Sequence, residues 1–219
     1  MELKGKKINF LGDSITEGVG TSSPEHIYLN VLAKSAGLAA ARNYGIGGTR
    51  FARQIVPTSE IFDRDFCRRV EEMDPDADVV VIFGGTNDFG HGDAPIGTPE
   101  DSTPASFWGA CNYLFKRVIE RYPAAAIVVM TPLHRHGENF TDGDAHQKKY
   151  HYGNLKTYVD IIKAVAEKYS LPVLDLYGTA GIQPSVRAQQ ELFMPDGLHP
   201  NDAGNAKIAA RLESFLKNL

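Results

Sequence analysis

The sequence has no window approaching the roughly 18 apolar residues that a membrane-spanning helix needs, which sets aside an integral membrane role. Cysteine is scarce: Cys67 and Cys111 are the only two, both inside stretches of helical period. An isolated pair is no disulfide framework, and two buried reduced thiols are expected. Charge of one sign is lacking too. With 23 Lys and Arg against 27 Asp and Glu, the net charge of -4 leaves no basic footprint for nucleic acid. The longest basic cluster, Lys4, Lys6 and Lys7, reads as a solvated lead-in to a strand. The start, Met1 to Lys7, lacks the apolar stretch of a secretory signal, and the Ile8–Leu11 run is too short to supply one. As given, the chain reads as cytoplasmic, and a secreted form with its signal removed would look the same.

What is present is ordinary globular material, 42% hydrophobic and 23% charged over 219 residues, with no repeat, low-complexity tract or linker. One domain spanning residues 1–219 is expected. Apolar runs of strand length fall at Ile8–Leu11, Ala39–Asn43, Val79–Phe83, Ala126–Met130 and Pro172–Leu176. Between them lie stretches of helical period: Pro24 to Ala36, a stripe of Phe62, Phe66, Val70 and Met73, then Phe107 to Val118 and Leu155 to Ala166. A last helix runs from about Asn201 to Leu216. Such alternation implies a five-stranded parallel sheet covered on both faces, a three-layer α/β/α, flavodoxin-like arrangement. Ligands then bind beyond the carboxyl ends of the strands.

The residues following each strand carry the functional signal. Gly12-Asp13-Ser14-Ile15-Thr16 follows the first, Asn43-Tyr44-Gly45-Ile46-Gly47-Gly48-Thr49 the second, and Gly84-Gly85-Thr86-Asn87-Asp88 the third. Asp196-Gly197-Leu198-His199-Pro200 comes after the fifth strand and a long loop. A hydroxyl, a glycine turn, an amide and a carboxylate–imidazole pair thus reach one rim. These groups fit acyl transfer. A serine hydroxyl becomes a useful nucleophile when a base takes its proton, and His199 is the candidate base with Asp196 on its other nitrogen. The Ser14 N–H, an N–H of the Gly47-Gly48 turn and the Asn87 side chain are candidate donors to an oxyanion. Asp13 and Asp88 read as braces of local backbone. A phosphate-loop reading of Gly12 to Gly20 fails because the Gly-Lys-Ser/Thr ending is missing.

In order and in position, the four segments resemble the blocks of the GDSL/SGNH hydrolases, from Leu11 to Pro200. The resemblance implies the SGNH hydrolase fold, Ser14 as nucleophile, Asp196 and His199 completing a triad, and Ser14, Gly48 and Asn87 as oxyanion donors. Gly48 is preferred to Gly47 because the family's glycine usually lies five residues after the asparagine opening its block, here Asn43. Two departures are Ile15, where the motif has leucine, and Gly47, where serine is common. No cofactor or metal is implied, and the partner is a small-molecule ester.

His134, His136, His146 and His151 crowd one region, but their spacing matches no metal-ligand pattern, so solvated or substrate-loop histidines are expected. Arg50 and Arg53 read as surface arginines. The long connections Gly84 to Thr103, Thr131 to Gln147 and Gly178 to Asp196 should wall the pocket. They are mostly polar, with Phe89, Phe140, Phe193 and nearby Trp108 as apolar exceptions. Such a lining favours a short acyl group, an O-acetyl ester of a carbohydrate or similar polar alcohol. The alternatives are a lysophospholipase or thioesterase of the same family, or a non-catalytic binding domain on the same fold.

Overall fold

The computed structural model describes residues 1–219. Five parallel strands, β1 (Lys7–Gly12), β2 (Ala40–Gly45), β3 (Val79–Phe83), β4 (Ala126–Met130) and β5 (Val173–Leu174), form one sheet in the order β2-β1-β3-β4-β5. Around it lie α1 (Ser14–Glu17), α2 (Tyr28–Ala36), α3 (Phe66–Arg69), α4 (Thr86–Gly90), α5 (Phe107–Arg121), α6 (Leu155–Lys168), α7 (Leu176–Thr179), α8 (Arg187–Phe193) and α9 (Asp202–Lys217). This is the three-layer, five-stranded architecture expected from the alternation of strand and helix signals.

The two-residue period of β3 shows how the layers arise. Val80 and Ile82 face a core shared with Phe66, Leu114, Val118, Ile162 and Val165, which come from α3, α5 and α6. Val79, Val81 and Phe83 face the opposite core, shared with Tyr28 and Leu32 of α2 and Ile208 and Leu212 of α9. All five β3 residues are therefore buried, which is why the strand reads as an unbroken apolar run. The three longest helices begin where short polar side chains satisfy free backbone donors. Ser106 accepts the Gly109 N–H ahead of α5, Asn154 the Thr157 N–H ahead of α6, and Asn201 the Gly204 N–H ahead of α9. Cys67 and Cys111 are both buried free thiols.

The register brings the carboxyl ends of the strands level. Gly12 pairs with Gly45 on one side and Phe83 on the other, and the row continues through Met130 to Leu174. Strand order reverses between β1 and β3, and the crevice at such a reversal is where this architecture binds ligands.

Several boundaries differ from the sequence expectations. The helix expected from Pro24 is interrupted, because Ile27 is extended (φ -63°, ψ 134°) and separates a turn at Pro24–His26 from α2. The stripe from Phe62 to Met73 is α3 followed by a tight turn at Val70–Glu72, with Asp65 capping its start. Phe62 lies outside it, half exposed. The last strand is cut to two residues because Asp175 caps α7. The connection from Gly84 holds the short helix α4 and the one from Gly178 holds α8, with α7 leading into it.

Candidate active site

Three segments that follow strands and the turn ahead of α9 converge at the level row. Behind β1, Asp13 accepts the Ile15 N–H at 3.1 Å and starts α1, which places Ser14 at the first position of that short helix. Ser14 retains only 8% of its exposure. Its Oγ lies 3.1 Å from Nε2 of His199. Nδ1 of the same ring lies 2.7 Å from Oδ2 of Asp196. The other Asp196 oxygen accepts the backbone N–H groups of Leu198 and His199 at 2.8 and 2.7 Å, so one carboxylate both shapes the turn and holds the ring. Partial burial pushes the Asp196 carboxyl up, but those N–H donors and the His199 ring outweigh it and hold it below the usual carboxylate range. An imidazole so held can take a proton from the hydroxyl it faces and return it.

The turn following β2 separates the two candidate glycines. The Gly47 N–H donates to Oε2 of Glu17 at 2.9 Å, while the N–H groups of Gly48 and Ser14 have no acceptor within the protein. Gly48 has φ +73°, a left-handed conformation natural to glycine, and a side chain there would meet the Phe62 ring at 3.1 Å. Asn87, in α4 just beyond β3, donates from Nδ2 to the Thr49 carbonyl at 3.0 Å. Its second amide hydrogen is not used by that bond. Direct contacts join Ser14, His199 and Asp196, and the Asn87–Thr49 bond sets the candidate amide beside the residue that follows Gly48.

Asp88 faces away and braces the scaffold, accepting the Phe51 and Ala52 N–H groups, both at 2.9 Å. Burial pushes it up to about 6, and burial pushes Asp13 up to about 7.

Arg50 is a correction. It is buried, not a surface arginine, and donates to the Phe62 carbonyl and Asp63 at 3.0 and 2.9 Å and to Nδ1 of His91 at 3.1 Å. Arg53 is exposed, as expected. Arg69 carried no sequence signal beyond its place in a helix, yet it is buried. It donates to the carbonyls of Tyr44 and Gly12, to Thr49 Oγ1 and to the Arg64 carbonyl, tying the ends of β1 and β2 to the glycine turn.

The four crowded histidines have separate partners. His134 pairs with Glu138, His146 with Asp142 and His151 with Thr141. His136 braces the Asp196–His199 turn: its N–H donates to the Gly197 carbonyl at 2.8 Å, and its ring packs where a Gly197 side chain would stand. No group of three or more His, Cys, Asp or Glu side chains is arranged to hold a metal ion.

A cavity of about 490 Å³ opens beside His91, lined by Ile55, Val56, Asp93, Lys149, Tyr150 and Tyr152 among others. Only two of the three long connections reach it, while the loop carrying Ile55 and Val56 was not foreseen. Of the apolar exceptions, Phe89 is wholly buried and Trp108 and Phe193 pack against the cores, leaving Phe140 exposed beside His146. No helix of the protein is long and apolar enough to cross a membrane.

Residues 10–207 match the family model described as the GDSL-like lipase/acylhydrolase family. The chain belongs to that family. Among solved structures, this lipase/acylhydrolase family member is similar to one at 33% identity, with a TM-score of 0.86, covering 100% of this chain and 99% of the other. A protein from Lactobacillus plantarum shows 29% identity and a TM-score of 0.84, covering 99% and 98%. An acetyl xylan esterase shares the fold at 21% identity, with a TM-score of 0.64 and coverage of 95% and 98%. No curated protein matches the chain. Family membership makes it an ester-bond hydrolase.

Proposed function

We propose that this hydrolase is a serine esterase, forming an acyl-enzyme on Ser14 and acting on short-acyl, chiefly O-acetyl, esters of carbohydrates or similar polar alcohols. The observation that carries the reading is the continuous line from Asp196 through His199 to Ser14, with contacts of 2.7 and 3.1 Å.

In this mechanism the Ser14 Oγ attacks the ester carbonyl as His199 Nε2 takes its proton. Asp196 keeps the ring oriented and balances the charge the ring acquires. The tetrahedral oxyanion is met by the N–H groups of Ser14 and Gly48 and by the Asn87 amide, donors already fixed in place before reaction. Collapse expels the alcohol, which receives the proton from His199. Water then attacks the acyl-enzyme, His199 accepts its proton and returns it to Ser14 Oγ, and the carboxylic acid departs.

The substrate class rests on the cavity beside His91. Its volume suits a small molecule, and a lining that mixes Tyr150 and Tyr152 with Asp93 and Lys149 suits a polyol ring that has both C–H faces and hydroxyls. His91 borders the cavity and lies one hydrogen bond from Asn87, which links the cavity to the candidate oxyanion side chain. The acetyl xylan esterase with the same fold acts, by its name, on an ester of this class.

The test joins labelling to a substrate comparison. A fluorophosphonate should label the protein stoichiometrically and fail on Ser14→Ala, while acetylated sugars and p-nitrophenyl acetate should be cleaved faster than esters of eight or more carbons. A folded wild type that resists labelling would end the serine mechanism; preference for long chains would end the short-acyl assignment.

A further inference from the structure

The ring of His91 stands between two groups of the site. Its Nδ1 lies 3.1 Å from Nη1 of Arg50, and its Nε2 lies 3.3 Å from Oδ1 of Asn87. A guanidinium nitrogen can only donate, so Nδ1 must accept. The proton of the neutral ring is thereby placed on Nε2, which donates to the Asn87 oxygen. The oxygen of the Asn87 amide is then committed to His91, and its nitrogen must point the other way, toward the Thr49 carbonyl and the oxyanion position. With the amide reversed, an acceptor would meet the Thr49 carbonyl, and a donor would meet the Nε2 proton.

We infer that Arg50 and His91 form a hydrogen-bond relay that fixes the orientation of the Asn87 amide, which makes His91 a positioning residue of the oxyanion site. The inference rests on the role proposed above for Asn87. Nothing in the sequence blocks marks His91, which lies four residues beyond Asn87, one turn along the chain from it.

The surroundings hold the ring in the required neutral form. Burial lowers His91 to about 4, with Arg50, Arg135 and Lys148 acting in the same direction and Asp144 against them. Protonation would put a second donor on Nδ1 against the Arg50 guanidinium, so the relay excludes that form by contact as well as by charge. Arg50 is itself anchored to Asp63 and the Phe62 carbonyl. The chain of contacts thus runs from a fixed cation to a ring, from the ring to an amide, and so to the reacting oxygen.

A double-mutant cycle tests the relay because it reads coupling and not mere damage. Asn87→Ala should lower kcat for an acetyl ester by about 10² to 10³. His91→Ala should lower kcat by roughly tenfold with KM changed less than about twofold, since an interaction made in the transition state is lost. In the Asn87→Ala background, His91→Ala should cost nothing more. Equal losses in both backgrounds, or no loss in either, would overturn the relay while leaving Asn87 in place. An Asn87→Ala variant with unchanged kcat would instead overturn the oxyanion assignment on which the relay depends. A readout apart from activity is ¹⁵N NMR of the His91 ring, which should show Nε2 protonated and Nδ1 bare at neutral pH; the reverse tautomer would sink the inference even if the kinetics agreed.

Discussion

Glu17 accepts the Gly47 N–H at 2.9 Å, so the last residue of the helix that opens with Ser14 pins the turn that holds Gly48. Nucleophile and turn are thereby joined through four residues of one short helix, and the pairing leaves the Gly48 N–H free.

Glu17→Ala should let that turn drift. A displacement near 1 Å costs as much as about 100-fold, so kcat for acetyl esters should fall by roughly ten- to a hundredfold while fluorophosphonate still labels Ser14. Unchanged kcat would show that the turn is held by other contacts.

Asp196→Asn should lower kcat by about 10² to 10⁴, because an amide can present the wrong group to Nδ1 and favour the wrong ring tautomer. The amide oxygen can still accept the Leu198 and His199 N–H groups, so the turn should survive. Circular dichroism and thermal unfolding should therefore match the wild type, separating a chemical loss from a structural one.

Arg69→Met should destabilise the fold by about 3 kcal/mol, since it leaves the Gly12 and Tyr44 carbonyls and Thr49 Oγ1 without their buried donor. Urea unfolding checks this. A loss under 0.5 kcal/mol, on the scale of an ordinary surface change, would mean that water replaces the guanidinium.

Stability should fall as pH rises from 5 to 8. Burial raises Asp13 to about 7 and Asp88 to about 6, so the native state favours their protonated forms. That contribution is complete below the unfolded value near 4 and is lost as pH climbs through 6 and 7, at no more than about 1.4 kcal/mol per unit per group. His91, lowered to about 4, acts oppositely between about 4 and 6.5 and offsets one of the two carboxyls there, so the fall is steepest between about 6 and 7. Asp76, held down to about 2 by its bond to Lys7, opposes only as pH drops below about 4. Urea unfolding at four pH values would test this. Asp13→Asn, which can keep the helix cap, should flatten the slope; a wild type that gains stability toward pH 8 would refute the sign.

The fold and the candidate site residues were legible because each candidate follows a strand or precedes a helix, and those transitions leave marks in composition and period. Val79–Phe83 has no competing interpretation, and Gly-Asp-Ser immediately follows another strand. Choosing between Gly47 and Gly48 from the residues alone was not possible, since it turns on Glu17, a partner thirty residues away. Arg50 looked like solvent-facing charge because its anchors, Asp63 and the Phe62 carbonyl, sit in a stretch that reads as the start of a helix but folds as a loop ahead of α3. Phe89 was assigned to the pocket because it lies in the long connection from Gly84 to Thr103, yet the short helix α4 buries it in the core. The relay through His91 was invisible for a related reason: its function depends on which ring nitrogen meets an arginine.

Ser22 bonds Asp202 through both its N–H and its hydroxyl at 2.8 and 2.6 Å, and Tyr28 donates its N–H to Asn205 at 3.0 Å. These clasps sit beside a serine and an imidazole 185 positions apart in the chain. Contacts so remote in sequence form only after a large loop has closed, and such closure is slow. A refolding chain can thus regain its secondary structure while still inert, and recovered hydrolysis should trail recovered far-ultraviolet ellipticity; simultaneous recovery would show that the two ends meet early.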